Sequence, residues 1–358
     1  MLEGVTSRVL PPDTAALERG DLVVRTPEGL FCPAGQFWID PWHPVPLAVV
    51  THAHADHAAP GHQRVVCAAP GAGVLGHRLA GAPLEPRAHG ERFQLGGVTV
   101  SLHPAGHVLG SAQVRIEGPD AVWVVTGDLK RQPDPTCAPF EPVACDVLVT
   151  EATFALPVYR WRDPGAVAAE VCEWWAENAA EGRTSLLGCY ALGKAQRLLA
   201  LLAAQGSLPG RLKAHGAVLS LVSRYREAGV ALPQVGPATS DDAPPGLDDA
   251  RPEPGDLVLA PPWTLRTPWA RRFPRAERAL ASGWMRLRGA RRRRAVDRGF
   301  ALSDHADWPG LLRTVEESGA RRVLATHGYA APLCRFLRET RGLAAEPIAT
   351  EFQGEGDA

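Results

Sequence analysis

Between Leu22 and Val149 the apolar positions come in short runs, each closed by a turn signal or a polar residue: GLFCPAGQFWID, LAVVTHAH, VTVSLHPAGH, AQVRIEG, AVWVVTGD and DVLVTEAT. Runs of this length, bounded by Gly, Pro, Asp or His, predict buried strands that deliver polar side chains at their C-terminal ends. From Asp163 the spacing changes to a helical period, first in DPGAVAAEVCEWWAENAAEG and then in YALGKAQRLLALLAAQG, each closed by a glycine. The stretch from Pro233 to Asp256 is dense in Pro, Gly and Asp and predicts a surface loop. Strand-like LVLAPP, RGFALSD and ARRVLATHG follow, with helical DWPGLLRTVEESG and APLCRFLRETRG, so β/α alternation resumes. Two β-rich ends around a helical middle predict an α/β protein with a second domain inserted into the first.

Composition narrows the class. The 358 residues, 45% hydrophobic and 22% charged, can bury a core without metals or disulfides as staples, so a metal here is expected to serve chemistry. Lys+Arg total 38 against 39 Asp+Glu, which excludes a histone-like binder and an acidic solvating tail; any contact with nucleic acid has to be local. The seven cysteines include no C-x-x-C pair and read as small core hydrophobes in a reducing compartment. The first residues lack a basic segment followed by an apolar one, and no apolar stretch reaches the ~18 residues of a membrane span. The expectation is a soluble, cytoplasmic protein with no membrane partner.

The strongest chemical signal is Thr51-His52-Ala53-His54-Ala55-Asp56-His57, directly after the apolar LAVV. Three imidazoles and a carboxylate so close together are hard to satisfy in a core but suit Zn²⁺, Mn²⁺ or Fe²⁺. The alternation can direct His52 and His54 to one ion and Asp56 and His57 to a neighbour. His107, in PAGHVLGSAQ, and Asp128, after AVWVVTG, lie at two further strand ends, where the carboxylate can bridge two ions. A pair of ions ~3.5–4 Å apart activates water and clamps both oxygens of a displacement at phosphorus, so hydrolysis is the chemistry implied.

This string resembles the signature of the metallo-β-lactamase superfamily, with His107 and Asp128 matching its third and fourth motifs. Asp40, closing FWID, matches the first motif, an aspartate that braces the histidine loop. Glu151 in VLVTEATFA, His305 in LSDHADWPGLL and His327 in THGY look like motifs A, B and C of the β-CASP nucleases, a branch that hydrolyses nucleic-acid phosphodiesters. The resemblance implies an αββα sandwich with an inserted β-CASP cap. Residues 1–158 and 299–358 would form the metallo-β-lactamase domain and 159–298 the cap. It implies two divalent ions, zinc or manganese, held by His52, His54 and His107 on one side and by Asp56, His57 and His327 on the other, with Asp128 as bridge. His305, paired with Glu151, would be the general acid.

Several features bear on substrate. ALGKAQRLL is similar to the family's substrate-side helix, which makes Lys194 a phosphate anchor, and Ser303 a possible donor to phosphate. Between Arg266 and Arg298 there are 12 arginines against Glu277 and Asp297, including Arg291 and Arg292, a footprint for a polyanion. Only three of the 38 basic residues are lysines, a bias that weakens any arginine cluster as a signal. Trp263, Trp269 and Trp284 lie near the stripe; core packing is the expected role of each, base stacking the alternative. FCPAGQFWIDPWHPV, SDHADWPGL and TEFQGE look most like the bacterial ligase-associated DNA exonucleases, which implies DNA as substrate and functional partnership with an ATP-dependent DNA ligase and a helicase in repair. His327 is the residue expected in RNA-type relatives, so an RNA-processing ribonuclease of the ribonuclease J type is the alternative. A small-molecule hydrolase would lack Glu151, His305 and the cap, and a silent binding subunit would have lost its metal string.

Overall fold

In the computed structural model, residues 13–243, 253–287, 289 and 296–350 are described. They fall into two compact units: one holds the residues up to Arg131, Pro139–Pro157 and those from Asp307 onward, the other Gln132–Ala138 and Val158–Ala306. Strands and helices are numbered in chain order.

The first unit has two sheets. One has the order β1 (Val24–Thr26), β2 (Gly29–Cys32), β3 (Phe37–Ile39), β4 (Ala48–Val49), β5 (Val65–Ala68), β6 (Leu84–Arg87). The other runs β19 (Ala344–Pro347), β18 (Arg322–Thr326), β11 (Val147–Glu151), β10 (Val122–Val125), β9 (Ala112–Glu117), β8 (Val98–Pro104), β7 (Arg92–Leu95). Phe37, Ile39, Val49 and Val66 of the first sheet share one core with Val100, Leu102, Ile116, Val125 and Val149 of the second. The same alternation that makes these positions apolar turns their neighbours away from the core. Short helices α1 (Thr14–Glu18) and α2 (Ala72–Arg78) belong to this unit.

Strand direction gathers the polar ends at one edge of each sheet. β3 and β4 run parallel with Ile39 opposite Val49, so Asp40 and the loop from Val50 leave the same end. β10, β11 and β18 are also parallel, pairing Val125 with Val149 and Glu151 with Thr326. Asp128, Glu151 and His327 therefore emerge together, and the β8–β9 connection that carries His107 lies at that end because β9 is antiparallel to β10.

The second unit is built on one all-parallel sheet: β14 (Gly236–Pro237), β13 (Leu212–Ala214), β15 (Leu257–Ala260), β12 (Ser185–Gly188), β16 (Glu277–Ala281), β17 (Arg298–Phe300). Helices α3 (Pro164–Ala180), α4 (Lys194–Ala203) and α5 (Gly216–Glu227) cover one face through Trp174, Trp175, Leu198, Leu202, Val218 and Val222. The other face packs against Leu265, Ala270 and Phe273 of two 3₁₀ turns. Helices α6 (Trp308–Ser318) and α7 (Ala330–Arg341) return the chain to the first unit, where α7 lies against β18 and β19. Cys32, Cys67, Cys189 and Cys334 are buried as expected of core hydrophobes, whereas Cys137, Cys145 and Cys172 are only half-buried. Among the described residues no helix is long and apolar enough to cross a membrane.

Candidate metal centre

Each imidazole of the string is aimed by its own neighbours. Asp40 sits at φ +44°, a left-handed conformation that an aspartate tolerates better than most residues. From there its Oδ1 accepts the Thr51 backbone N–H at 2.7 Å, and its Oδ2 faces Thr51 Oγ1 at 2.6 Å and His57 Nδ1 at 2.7 Å. With Thr51 donating to the carboxylate, its oxygen is left to accept from His52 Nδ1 at 3.0 Å. One carboxylate thus sets two tautomers, directly for His57 and through a hydroxyl for His52, and turns both Nε2 atoms away from itself. Gly127, at φ +56°, allows this approach, since a Cβ there would lie 2.6 Å from Thr51 Oγ1.

The donor atoms converge. His54 Nδ1 lies 3.0 Å from His52 Nε2 and 3.0 Å from His107 Nε2. Nitrogens bound to one ion at about 2.1 Å stand about 3.0–3.4 Å apart, so this spacing suits a shared ligand. Asp128 spans to the second set: Oδ2 is 3.4 Å from His52 Nε2 and 3.6 Å from His107 Nε2, while Oδ1 is 3.5 Å from His57 Nε2. Possible ligand atoms of His52, His54, His107 and Asp128 all fall within 4.8 Å of one another, as do those of His57, Asp128 and His327. Asp56 Oδ2 comes within 3.7 Å of His57 Nε2.

His57 provides the test of fit. Its Nε2 is buried and has no hydrogen-bond partner among the described residues. Burial alone would lower this imidazole, yet the carboxylates of Asp128, Asp56 and Asp40 overcome it and push the pKa up to about 10. A buried nitrogen without a partner, among carboxylates that favour positive charge, is what a divalent cation would satisfy. Burial and the nearby His57 hold His327 below its ordinary value. His327 itself adopts φ +56°, and Gly328 beside it packs so closely on Ala152 that a Cβ would lie 2.5 Å from that carbonyl oxygen. His57, Asp56, Glu151 and His327 line one hollow, and Glu151 Oε1 accepts the Leu129 N–H at 2.7 Å.

Three supporting residues were not singled out in the sequence. Thr51 is the relay above. Ser111 Oγ accepts the N–H groups of His107 and Val108 at 3.0 and 3.2 Å, and Lys130 Nζ donates to the His107 carbonyl at 2.6 Å. The serine following Gly110 in PAGHVLGS was the available clue, because hydroxyls so placed commonly cap turns.

The remaining candidates lie in the second unit. Ser303 is buried and its Oγ accepts the His305 backbone N–H at 3.1 Å, so it braces its own loop. Lys194, expected as a phosphate anchor, is buried, 3.3 Å from Asp304 Oδ2, with its ammonium over the Tyr190 ring. Gln196 caps its own helix by accepting the Gly193 N–H at 2.8 Å. Arg197, also buried, donates to the Ser303 carbonyl at 2.6 Å and lies 3.3 Å from Asp304 and 3.6 Å from Asp134. Of the three tryptophans expected in cores, Trp269 and Trp284 are half-buried but Trp263 is 52% exposed. Arg291 and Arg292 lie outside the described residues.

No protein-family model matches the chain. It is 34% identical over 335 residues to a probable DNA ligase of Opitutus terrae, covering 93% of this chain and 32% of that protein. It is 30% identical over 159 residues to ribonuclease TTHA0252 of Thermus thermophilus, covering 42% of this chain and 35% of that protein. Over 116 residues it is 34% identical to cleavage and polyadenylation specificity factor 73 of Drosophila melanogaster, covering 32% of this chain and 16% of that protein. The chain thus spans about a third of the length of the first two relatives and less of the third. A crystal structure of a protein of unknown function from Enterococcus faecalis V583 superposes with a TM-score of 0.52 at 13% identity, over 78% of this chain and 74% of that one, which shows a shared fold.

Proposed function

We propose that this chain is a two-metal nuclease that hydrolyses DNA phosphodiester bonds, as an exonuclease of the metallo-β-lactamase fold with a β-CASP cap. The observation that carries the reading is Asp128, whose two carboxylate oxygens face different sets of ligating nitrogens. His52, His54 and His107 would hold one ion and Asp56, His57 and His327 the other, zinc or manganese, with Asp128 between them. Such ions, when bound, supply an activated water and neutralise charge on the phosphoryl oxygens. Asp40 keeps the imidazoles of His52 and His57 in ligating tautomers, and Glu151 fixes the backbone at Leu129, beside the bridge. His305, on the strength of its motif, gives a proton to the leaving oxygen. The similarity to a probable DNA ligase favours DNA and a role beside a ligase and helicase in repair, while the similarity to a ribonuclease, together with His327, supports RNA processing as the second reading.

The test is purified protein with end-labelled single- and double-stranded DNA and RNA, across Zn²⁺, Mn²⁺ and Mg²⁺. Metal-dependent release of nucleotides from DNA ends is expected; no cleavage with any metal would refute a nuclease. Asp128→Ala should lose metal and activity together. His305→Ala should keep its metal while slowing the chemical step by ~10²–10⁴-fold. An aryl phosphodiester, whose leaving group needs no proton, should restore that variant nearly to the wild-type rate; equal damage on both substrates would remove His305 as the acid.

A further inference from the structure

Trp263 follows β15 at the C-terminal edge of the second unit's parallel sheet. Ligand sites of open parallel sheets form at this edge. The loop of Ser303 and His305 leaves β17 there, and Lys194 follows β12 there. Among the described residues the large hydrophobic side chains left exposed are Leu17, Val158 and Trp263, and only the last is aromatic.

The ring is exposed without being loose. It meets His215 at 6.0 Å and 75°, and His215 meets Trp269 at 5.1 Å. His215 is fixed in turn, its Nδ1 accepting the Ala217 N–H at 3.1 Å. Asp242 ties the platform together: Oδ1 accepts the Gly216 N–H at 2.9 Å, and Oδ2 accepts from Thr239 Oγ1 at 2.6 Å and Trp269 Nε1 at 3.2 Å. An aromatic surface held this way loses little entropy on binding.

Charge identifies the occupant. Trp263 and Arg266 stand three apart in the 3₁₀ turn Pro262–Arg266, a spacing that puts them on the same side of such a turn. Arg266, Arg271 and Arg275 are exposed and form no ion pair among the described residues, whereas the neighbouring Arg272 is engaged by Asp241. A solvated face normally mixes signs. A presented indole in a segment whose guanidinium groups at 266, 271 and 275 have no ion-pair partner among the described residues suits a ligand with π-faces and a regular negative backbone.

We propose that Trp263 stacks on a base of a single nucleic-acid strand at the C-terminal edge of this sheet, with Arg266 on the adjacent phosphate. The proposal rests on the nucleic-acid substrate proposed above and adds where and how an unpaired strand is gripped.

Binding of the full-length, metal-loaded protein to phosphorothioate oligomers, which resist cleavage, is measured by fluorescence anisotropy over a range of salt. The probes are an oligothymidylate and an abasic oligomer of the same length. Trp263→Ala is expected to weaken the oligothymidylate about tenfold, the worth of one stacked base, and to leave the abasic oligomer unchanged. Trp263→Phe should retain most of the affinity. Arg266→Ala should weaken both probes alike and flatten the salt dependence. Thermal melting verifies that each variant folds. Wild-type affinity in Trp263→Ala, equal loss on both probes, or a wild type that binds neither would each overturn the proposal. Wild-type cleavage of DNA alongside any of these outcomes leaves the nuclease standing; base-dependent binding through Trp263 without cleavage under any metal refutes the nuclease and keeps the strand contact.

Discussion

One carboxylate, that of Asp40, orients the imidazole of His57 directly and that of His52 through the Thr51 hydroxyl. His52 and His54 were legible as candidate ligands because they sit in one loop and alternate; the aspartate at the end of FWID was legible only by resemblance. Its action through Thr51 was not, since that depends on a left-handed backbone at residue 40 and on distances across two strands. Asp40→Asn replaces one acceptor oxygen with an NH₂ group and leaves a donor of Thr51 or His57 facing another donor. Metal affinity, measured by competition with a chromophoric chelator, should fall about 10–100-fold. Thr51→Val should lose part of this, because only the His52 tautomer is released.

At the scale of elements, periodicity placed the long helices, and strands were legible only where a short apolar run was bounded by turn signals. Helices α3 and α4 carry apolar residues on one face over several turns and stand where the spacing placed them. Strands β5, β13 and β14, four residues or fewer, have too few positions to show an alternation, and α5 hides its buried Val218, Val222 and Tyr225 among serines and arginines. The start of α4 shows a pairing that the spacing does not reveal. A lysine after a glycine at a helix start looks like an anion site, but its partner Asp304 is remote in sequence, and the pairing appears only when β12 and β17 are placed in one sheet. Arg197 joins α4 to the same loop. Arg197→Met removes the cation and leaves Asp304 and Asp134 buried with less compensation, which should cost about 3–5 kcal/mol. Chemical denaturation of wild type and variant measures this, and a loss under about 1 kcal/mol would show the arrangement to be near neutral.

For the whole molecule, near-zero net charge said nothing about where charge would gather, and the fold has collected carboxylates and histidines at one end of the first unit. Removing metal should therefore be felt in stability as well as in activity. Adding Zn²⁺ to chelator-stripped protein at about a hundred times its dissociation constant should contribute about 2.7 kcal/mol. For a unit of this size, calorimetry should register a rise in Tm of roughly 5–10 °C. An unchanged Tm would mean that the cluster binds no metal tightly.

The position of β11 has a consequence for how the protein is made. All five of its residues are buried, and it is paired with β10 on one side and β18 on the other. Every residue of Val158–Ala306 is translated between those two partners. On a ribosome the apolar edge of β11 therefore waits on the order of ten seconds for the strand that covers it. Until then the growing chain offers a half-built sheet to any passing strand, and His327, which follows β18, has not yet joined His57 and Asp128. Completion of the His57, Asp128 and His327 cluster is in this sense a late event in biosynthesis. An open strand edge is a known route to aggregation, so the interval between β11 and β18 is when a nascent chain would most need a chaperone.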